Sequence, residues 1–291
     1  MAVAGGIISA TDYNTVQSRI NTIMNTDYGQ TLLSGQVSVG DIVTDGVMDN
    51  LRTDITKAYV HQAGSNPTIT DVDEGDTILA ADINGYSTLM TTVETNKFNV
   101  GSGQTTIEAG TNSSRTAPWG GGGGGVVTHT CTVNFTSATA RTQFFNAGGQ
   151  IRFSASRSGN SGSKNTDWTN MLSAMGTVIF NYTSTSASSG TGSTVGGLDL
   201  TTSYQQIFKK DGSGNYAEND YNIQARYVSS NIQFQIQFRD DDTGDQQGGY
   251  KAGVAVDEEV TGTLQSVIQH RRATGSNVEN PAPTYTNNAN L

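Results

Sequence analysis

One cysteine, Cys131, stands in a chain of 291 residues, so no intrachain disulfide can brace the fold and packing must hold it alone. Charge is also scarce. Asp, Glu, Lys and Arg make up 14% of the chain, against about 25% in ordinary globular domains. Basic residues are the rarer sign, 16 against 26 acidic, for a net charge of −10. A nucleic-acid binder needs a basic footprint, so that class is excluded. No apolar run reaches the roughly 18 residues that a membrane-spanning helix needs, so no membrane partner is expected. The stretch Met1 to Ala10 lacks a basic n-region, and no signal peptide is expected. The histidines His61, His129 and His270 lie far apart without metal-ligand spacing, so no metal, cofactor or catalytic residue is expected from them.

Neutral polarity fills the gap. Ser, Thr, Asn and Gln together form about 37% of the chain, and glycine contributes 35 residues. That balance suits β-rich structure, with Thr and Gln on solvated strand faces and Gly, Asn and Ser in the turns.

The first hundred residues repeat themselves. Ile8-Ser-Ala-Thr-Asp-Tyr-Asn14, Val43-Thr-Asp-Gly-Val-Met-Asp49 and Ile78-Leu-Ala-Ala-Asp-Ile-Asn84 follow one another at a spacing of 35. A fixed period of this length marks stacked supersecondary units. The agreement continues through Val16, Leu51 and Tyr86, then Ile20, Ile55 and Met90, then Ile23, Ala58 and Val93. These apolar positions follow one face of a 3.6-residue period. They predict helices over Ala10–Met24, Asp45–Tyr59 and Ala80–Thr95. Gly6, Gly40 and Gly75 precede the units; Ser9 and Thr44 can cap their helices, and Leu79 cannot. Asp41 and Asp76 follow their glycines just before a helix, where a carboxylate suits the helix dipole. A small bundle and a docking module are compatible readings of this region. The segment Asp71-Val-Asp73-Glu-Gly75-Asp76 resembles half a calcium loop, but Asp82 stands where a bidentate Glu belongs, so a repeat turn is the preferred reading.

From Phe98 to Gly125 little is available to bury, and Gly120 to Gly125 is a run of glycine. It is no phosphate loop, since no Gly-Lys-Ser/Thr follows. The expectation is a connecting arm. Beyond it the chain alternates: Val126–Phe135, Gln150–Ser156, Gly176–Thr183, Thr202–Phe208, Tyr221–Tyr227, Ile232–Phe238 and Val254–Val267 read as strands. Lys209 to Gly214 reads as a hairpin turn. Asn165 to Met175 reads as one helix, capped by Thr166 and ended by Gly176, with Trp168, Leu172 and Met175 as its core stripe. The expected fold class is therefore α+β. A small helical repeat domain (1–97) is joined by a Gly-rich arm (98–125) to an antiparallel β-sandwich with one helix and an extended C-terminal tail (126–291).

Candidate chemistry is sparse. His129 and Cys131 share the inward face of a strand and read as core. Ser161-Gly-Ser163-Lys164 has S-x-x-K spacing but lies in a Gly/Ser loop, with no K-T-G after it. Asp240, Asp241, Asp242 and Asp245 form the densest carboxylate cluster, read as an acidic hairpin loop with a cation site as the sharper alternative. Glycosidase carboxylates need a cleft lined with sugar-binding aromatics, and the chain has only 2 tryptophans.

The ordered series Phe144-Phe-Asn-Ala-Gly-Gly-Gln-Ile-Arg-Phe-Ser-Ala-Ser-Arg157, Asn165-Thr-Asp-Trp-Thr-Asn-Met-Leu172, Gly176-Thr-Val178, Asp199-Leu-Thr-Thr-Ser-Tyr-Gln-Gln-Ile-Phe208, Tyr221-Asn-Ile-Gln-Ala-Arg226 and Val260-Thr-Gly-Thr-Leu264 resembles a recurrent domain. That domain belongs to virion structural proteins of tailed phages infecting cyanobacteria and related marine bacteria. The resemblance spans about residues 126 to 284 and brings no catalytic residues with it. It implies a non-enzymatic, homo-oligomeric tail or baseplate component, a trimer or hexameric ring, located in the virion and docked through its N-terminal helices. Neighbouring virion proteins are its implied partners. The alternatives are a receptor- or glycan-binding fibre module that meets a host-surface glycan, a capsid decoration protein, and a polysaccharide-degrading enzyme.

Overall fold

The 35-residue period builds three helices. The computed structural model describes residues 8–121, 124–241 and 258–291. Gly6 and the first part of the strand expected from Val254 lie outside the described residues. Helix α1 spans Ala10–Asn21 and runs into a π-helical turn, Thr22–Asp27. Helix α2 spans Asp45–Ala63 and α3 spans Ala80–Thr95. Val16, Leu51, Tyr86, Ile20, Ile55, Met90, Ile23, Ala58 and Val93 are all buried in one apolar cluster, with Ile8, Val43 and Ile78 packed against it.

Capping follows the side-chain chemistry. Ser9 and Thr44 each accept from the backbone three residues on. Leu79 has no oxygen to offer, and only the reverse contact forms: Asp82 accepts from Leu79 N at 2.8 Å. Asp41 and Asp76 differ from expectation. Each closes a tight turn instead of facing a helix. Ser38 N donates to Asp41 Oδ2 at 2.7 Å and Asp73 N to Asp76 Oδ2 at 3.2 Å. Gly40 and Gly75 supply the turns' positive φ, +98° and +94°, which side-chain-bearing residues rarely adopt. The repeat is thus a repeat of turns as well as of helices.

The chain forms two compact units, and each is discontinuous. The helical unit takes residues 1–106, 142–149 and 272–281. Its late segments contribute Ala147, Ala273 and Val278 to the helical core. Asn280 Nδ2 donates to Tyr28 O at 3.0 Å, and Gln30 Nε2 donates to Glu279 O at 2.9 Å. Arg19 of α1 forks onto Glu94 of α3 with two bonds of 2.8 Å. That pairing holds the Glu94 carboxyl below its usual pKa.

The second unit, residues 107–141, 150–271 and 282–291, is a sandwich-like pair of antiparallel sheets. Its strands are β1 (Thr105–Arg115), β2 (Gly125–Asn134), β3 (Gln150–Ser158), β4 (Val178–Phe180), β5 (Thr185–Ser186), β6 (Gln205–Asp211), β7 (Asp220–Val228), β8 (Asn231–Asp240), β9 (Thr263–Ala273) and β10 (Thr284–Ala289). One sheet runs β1-β9-β3-β4-β5 and the other β10-β2-β8-β7-β6. Helix α5 (Ser163–Met175) belongs to this unit, and α4 (Ala138–Asn146) divides between the two, its residues from Thr142 on counting with the helical unit. The Ile/Phe/Gln alternation of β8 is resolved by full pairing, since β8 lies between β2 and β7. Its inward ring Phe234 meets Phe153 and Phe180 of the facing sheet, with centroids 4.9 and 5.4 Å away.

Several expectations are corrected here. The arm 98–125 contains strand β1, whose short polar side chains disguise a strand that pairs with β9. Trp119 lies in the same arm, is buried, and exchanges backbone hydrogen bonds with Val260 at 3.1 and 2.8 Å. The extended tail includes β10, paired in register with β2 from Thr284 opposite Asn134. Helix α4 was not foreseen. Helix α5 starts at Ser163, earlier than Asn165, and Thr166 is no cap: its hydroxyl donates back to Gly162 O at 2.9 Å. Lys209 and Lys210 are strand residues of β6, and the turn follows them.

Candidate functional site

Among the described residues, chemistry-bearing side chains of the β unit form enclosed networks, and others line an open cleft. The first network follows from inward alternation on β2, which places His129 and Cys131 in the interior. His129 Nδ1 lies 3.0 Å from Ser266 Oγ, and its Nε2 lies 3.0 Å from Asn287 Oδ1. This is a Ser–His–Asn order, yet Ser266 is 1% exposed and His129 is fully buried, so no substrate reaches the hydroxyl. Burial lowers the His129 pKa and pushes the Cys131 thiol up to about 12, which leaves the cysteine an inert core thiol. A parallel network joins His270 to Glu108 at 3.0 Å and to Tyr285 at 2.9 Å. The three strands β1, β9 and β10 are thereby cross-braced through side chains, and the histidines serve as hydrogen-bonding spacers.

The second enclosed group is an ion pair. Lys164 Nζ donates to Asp240 Oδ2 at 3.0 Å, and both side chains are fully buried. Asp240 follows the inward row Ile232, Phe234, Ile236 and Phe238 at the same period of two. Lys164 sits one helical turn before Trp168, on the α5 core stripe. The acidic cluster is corrected accordingly. Asp240 is interior, Asp241 pairs with Arg239 at 3.2 Å, and Asp242 and Asp245 lie outside the described residues. The segment around Gly120 encloses the pair. A Cβ at Gly120 would meet Asp240 Oδ2 at 1.8 Å, so only glycine fits. The described glycines here serve close approach, and Gly122 and Gly123 lie outside the described residues.

In the helical unit, three carboxylates of the half calcium loop, Asp71, Asp76 and Asp82, are committed elsewhere, and Asp73 and Glu74 are exposed. Asp71 pairs with Arg52 at 2.9 Å, and Asp76 and Asp82 accept from backbone N–H groups. Among the described residues no group of three or more His, Cys, Asp or Glu side chains is arranged to hold a metal ion.

The open feature is a cleft of about 540 Å³ between the start of α5 and the β6–β7 connection. Ser163, Thr166, Asp167 and Asn170 line one wall, and Ser213, Asn215 and Tyr216 the other. Helical spacing sets the first wall: positions 163, 166, 167 and 170 fall on one face. Asp167 anchors the second. Its Oδ1 accepts from Ser213 N at 3.1 Å and from Ser213 Oγ at 2.5 Å. Asp167 Oδ2 accepts no hydrogen bond, although the side chain is only 8% exposed. The walls are neutral amides and hydroxyls around one carboxylate.

No protein-family model, curated protein or solved structure matches this chain. The functional reading therefore rests on the residues themselves and on the resemblance carried by the ordered series between Phe144 and Leu264.

Proposed function

We propose that the chain is a non-enzymatic structural component of a tailed-phage particle, a homo-oligomeric tail or baseplate subunit that docks through its helical unit. The observation that carries this reading is an uncovered apolar segment beside the repeat turn. Leu33, Val39 and Ile42 are 56%, 94% and 84% exposed, while the apolar positions at the helical period of the same repeats build a closed core. Exposed aliphatic residues gathered in one connection mark a surface meant to be covered. Closed point symmetry supplies the cover most simply, as a trimer or a hexameric ring. Enclosure of the histidines and Cys131 supports a structural role over a catalytic one.

Two measurements test this. In light scattering, the purified chain is expected to run as a trimer or hexamer, and the double variant Val39→Ser/Ile42→Ser as a monomer with unchanged helix content. An assembly that ignores both substitutions removes the docking surface from the proposal. Electron-microscopy density for the whole particle then locates the chain. Density in the tail supports the reading, and density at capsid hexamers turns it into a decoration protein.

The cleft favours a second reading, a glycan-binding module. Amides, hydroxyls and a carboxylate acceptor in an open concavity match the donors and acceptors of a sugar ring. Under this reading Asn215→Ala and Asp167→Asn each weaken glycan binding about tenfold, the worth of one or two hydrogen bonds. Calorimetry against host-envelope oligosaccharides measures it, and silence across them ends the reading.

A further inference from the structure

We propose that Lys164 and Asp240 become joined by an intramolecular amide bond, Lys164 Nζ to Asp240 Cγ, which the folded chain forms by itself with release of one water. The inference does not depend on the particle reading above. It starts from the enclosure. Both side chains are fully buried, on elements 76 residues apart in sequence, with Nζ and Oδ2 at 3.0 Å. Neither partner reaches this position by accident of a flexible surface arm. Lys164 lies on the apolar stripe of α5, and Asp240 continues the inward row of β8. Trp119 and Trp168 stack edge to face with centroids 4.8 Å apart, and Phe238 lies within 6.5 Å of both rings.

Full burial makes a charged pair expensive, because both ions lose their hydration. Transfer of one proton from Nζ to the carboxyl gives the amine and the acid, the forms that burial favours. The amine is then the nucleophile, held against its electrophile without loss of further freedom. Its lone pair attacks Cγ. Gly121 N already donates to Asp240 Oδ2 at 3.2 Å, which holds the carboxyl in place against the amine. A second N–H proton joins Oδ2, which already holds the first, the Cγ–Oδ2 bond breaks, and Oδ2 leaves as water with both protons while Oδ1 becomes the amide oxygen. The ammonium and carboxylate become one secondary amide and one water, and no oxidant, reductant or metal is consumed. Gly120 contributes by having no side chain. Its backbone lies against the carboxylate, where a Cβ would sit 1.8 Å from Oδ2, and it keeps bulk water from that face. A chain with a single cysteine would thereby gain a covalent brace that does not depend on redox conditions.

Mass spectrometry of the full chain, unfolded before injection, is the test. The expected mass is short of the sequence mass by one water, and a digest contains a branched peptide in which the Lys164 segment is attached to the Asp240 segment. Lys164→Arg is expected to restore the full sequence mass. A wild-type chain at its full sequence mass overturns the proposal. A one-water deficit without the branched peptide also overturns it, since a succinimide at Asp240-Asp241 would give the same loss. A deficit that persists in Lys164→Arg does the same. The branched peptide is read from the wild-type chain, so the outcome does not depend on the variant folding.

Discussion

Arg157→Ala is expected to cost the β unit about 4 kcal/mol, and Arg157→Lys to recover little of it. Arg157 is the last inward residue of β3 before the loop to α5, and it is 6% exposed. Among the described residues its guanidinium has no carboxylate partner and instead gathers neutral oxygens. Nε donates to Thr261 O at 2.7 Å. Nη1 donates to Asn165 O and Thr169 Oγ1, both at 3.1 Å. Nη2 donates to Gly159 O at 2.6 Å and Asn160 O at 3.2 Å. Truncation takes the donor from four carbonyls and the Thr169 hydroxyl, and each acceptor left buried and unsatisfied, Asn165 O first, carries a desolvation penalty of about 1–3 kcal/mol, not fully additive. Lysine offers a point charge where a planar fork is needed. The measurement is urea unfolding followed by tryptophan fluorescence, which reports on this unit alone because Trp119 and Trp168 are the chain's only tryptophans. The same arginine pins the loop that starts α5, so the variant should also lose the cleft wall at Ser163 and Thr166. A midpoint within experimental error of the wild type would show that the five bonds are not made.

The helical unit should lose about 3 kcal/mol as the pH falls from 6.5 to 4, and His61→Leu should abolish that loss. His61 lies near the end of α2, is fully buried, and stacks edge-on against Tyr28 with centroids 5.1 Å apart. Neither ring nitrogen has a partner at hydrogen-bond geometry. Burial drives its pKa down from 6.5 to about 4, and a backbone interaction with Ala147 opposes the shift only in part. The sign follows from proton counts. Between the two values the unfolded chain carries the proton and the folded chain does not, so acid favours unfolding. The penalty begins near pH 6.5, grows downward and levels off below about 4. Glu94, whose pKa is lowered by Arg19, loses its stabilising charge only at the acid end, so the window above pH 5 belongs to His61. Amide hydrogen exchange in α2 at a series of pH values measures the effect. Because the imidazole gives up only the Ala147 interaction, which falls short of hydrogen-bond geometry, His61→Leu should be close to neutral at pH 7. Wild-type protection that stays flat from pH 7 to 5 would contradict this account.

The helical repeat was legible because two independent periods, 3.6 and 35, agreed on the same residues. The role of Asp41 and Asp76 was not, since a carboxylate before a helix suits a dipole and a turn equally well, and only the bond to the residue three back decides. Strand β1 escaped because Thr105-Thr-Ile-Glu-Ala-Gly-Thr-Asn-Ser-Ser-Arg115 buries little. An edge strand braced by side-chain hydrogen bonds leaves a weak hydrophobic signal. The glycines after Trp119 were misleading for a related reason. Composition reports the missing side chain, and not whether freedom or close contact required its absence. The enclosed pair was readable in principle. Extending the alternation of Ile232 to Phe238 by one step reaches Asp240, and stepping one turn back from Trp168 reaches Lys164. Both read as loop residues in the sequence, because Gly and Ser precede Lys164 and further aspartates follow Asp240. The cleft was beyond reach, because the pairing of α5 with the Ser213–Tyr216 turn is a long-range contact with no local pattern.

The discontinuous helical unit also orders events during synthesis. Its three helices leave the ribosome first, but Ala273, Val278 and Asn280 follow only after all but the last strand of the sandwich have been translated. Its core is therefore incomplete for nearly the whole of translation, and a product truncated before residue 272 never acquires it. The helical core is thus tied to the synthesis of strand β9, whose last residue, Ala273, is one of the side chains that close it.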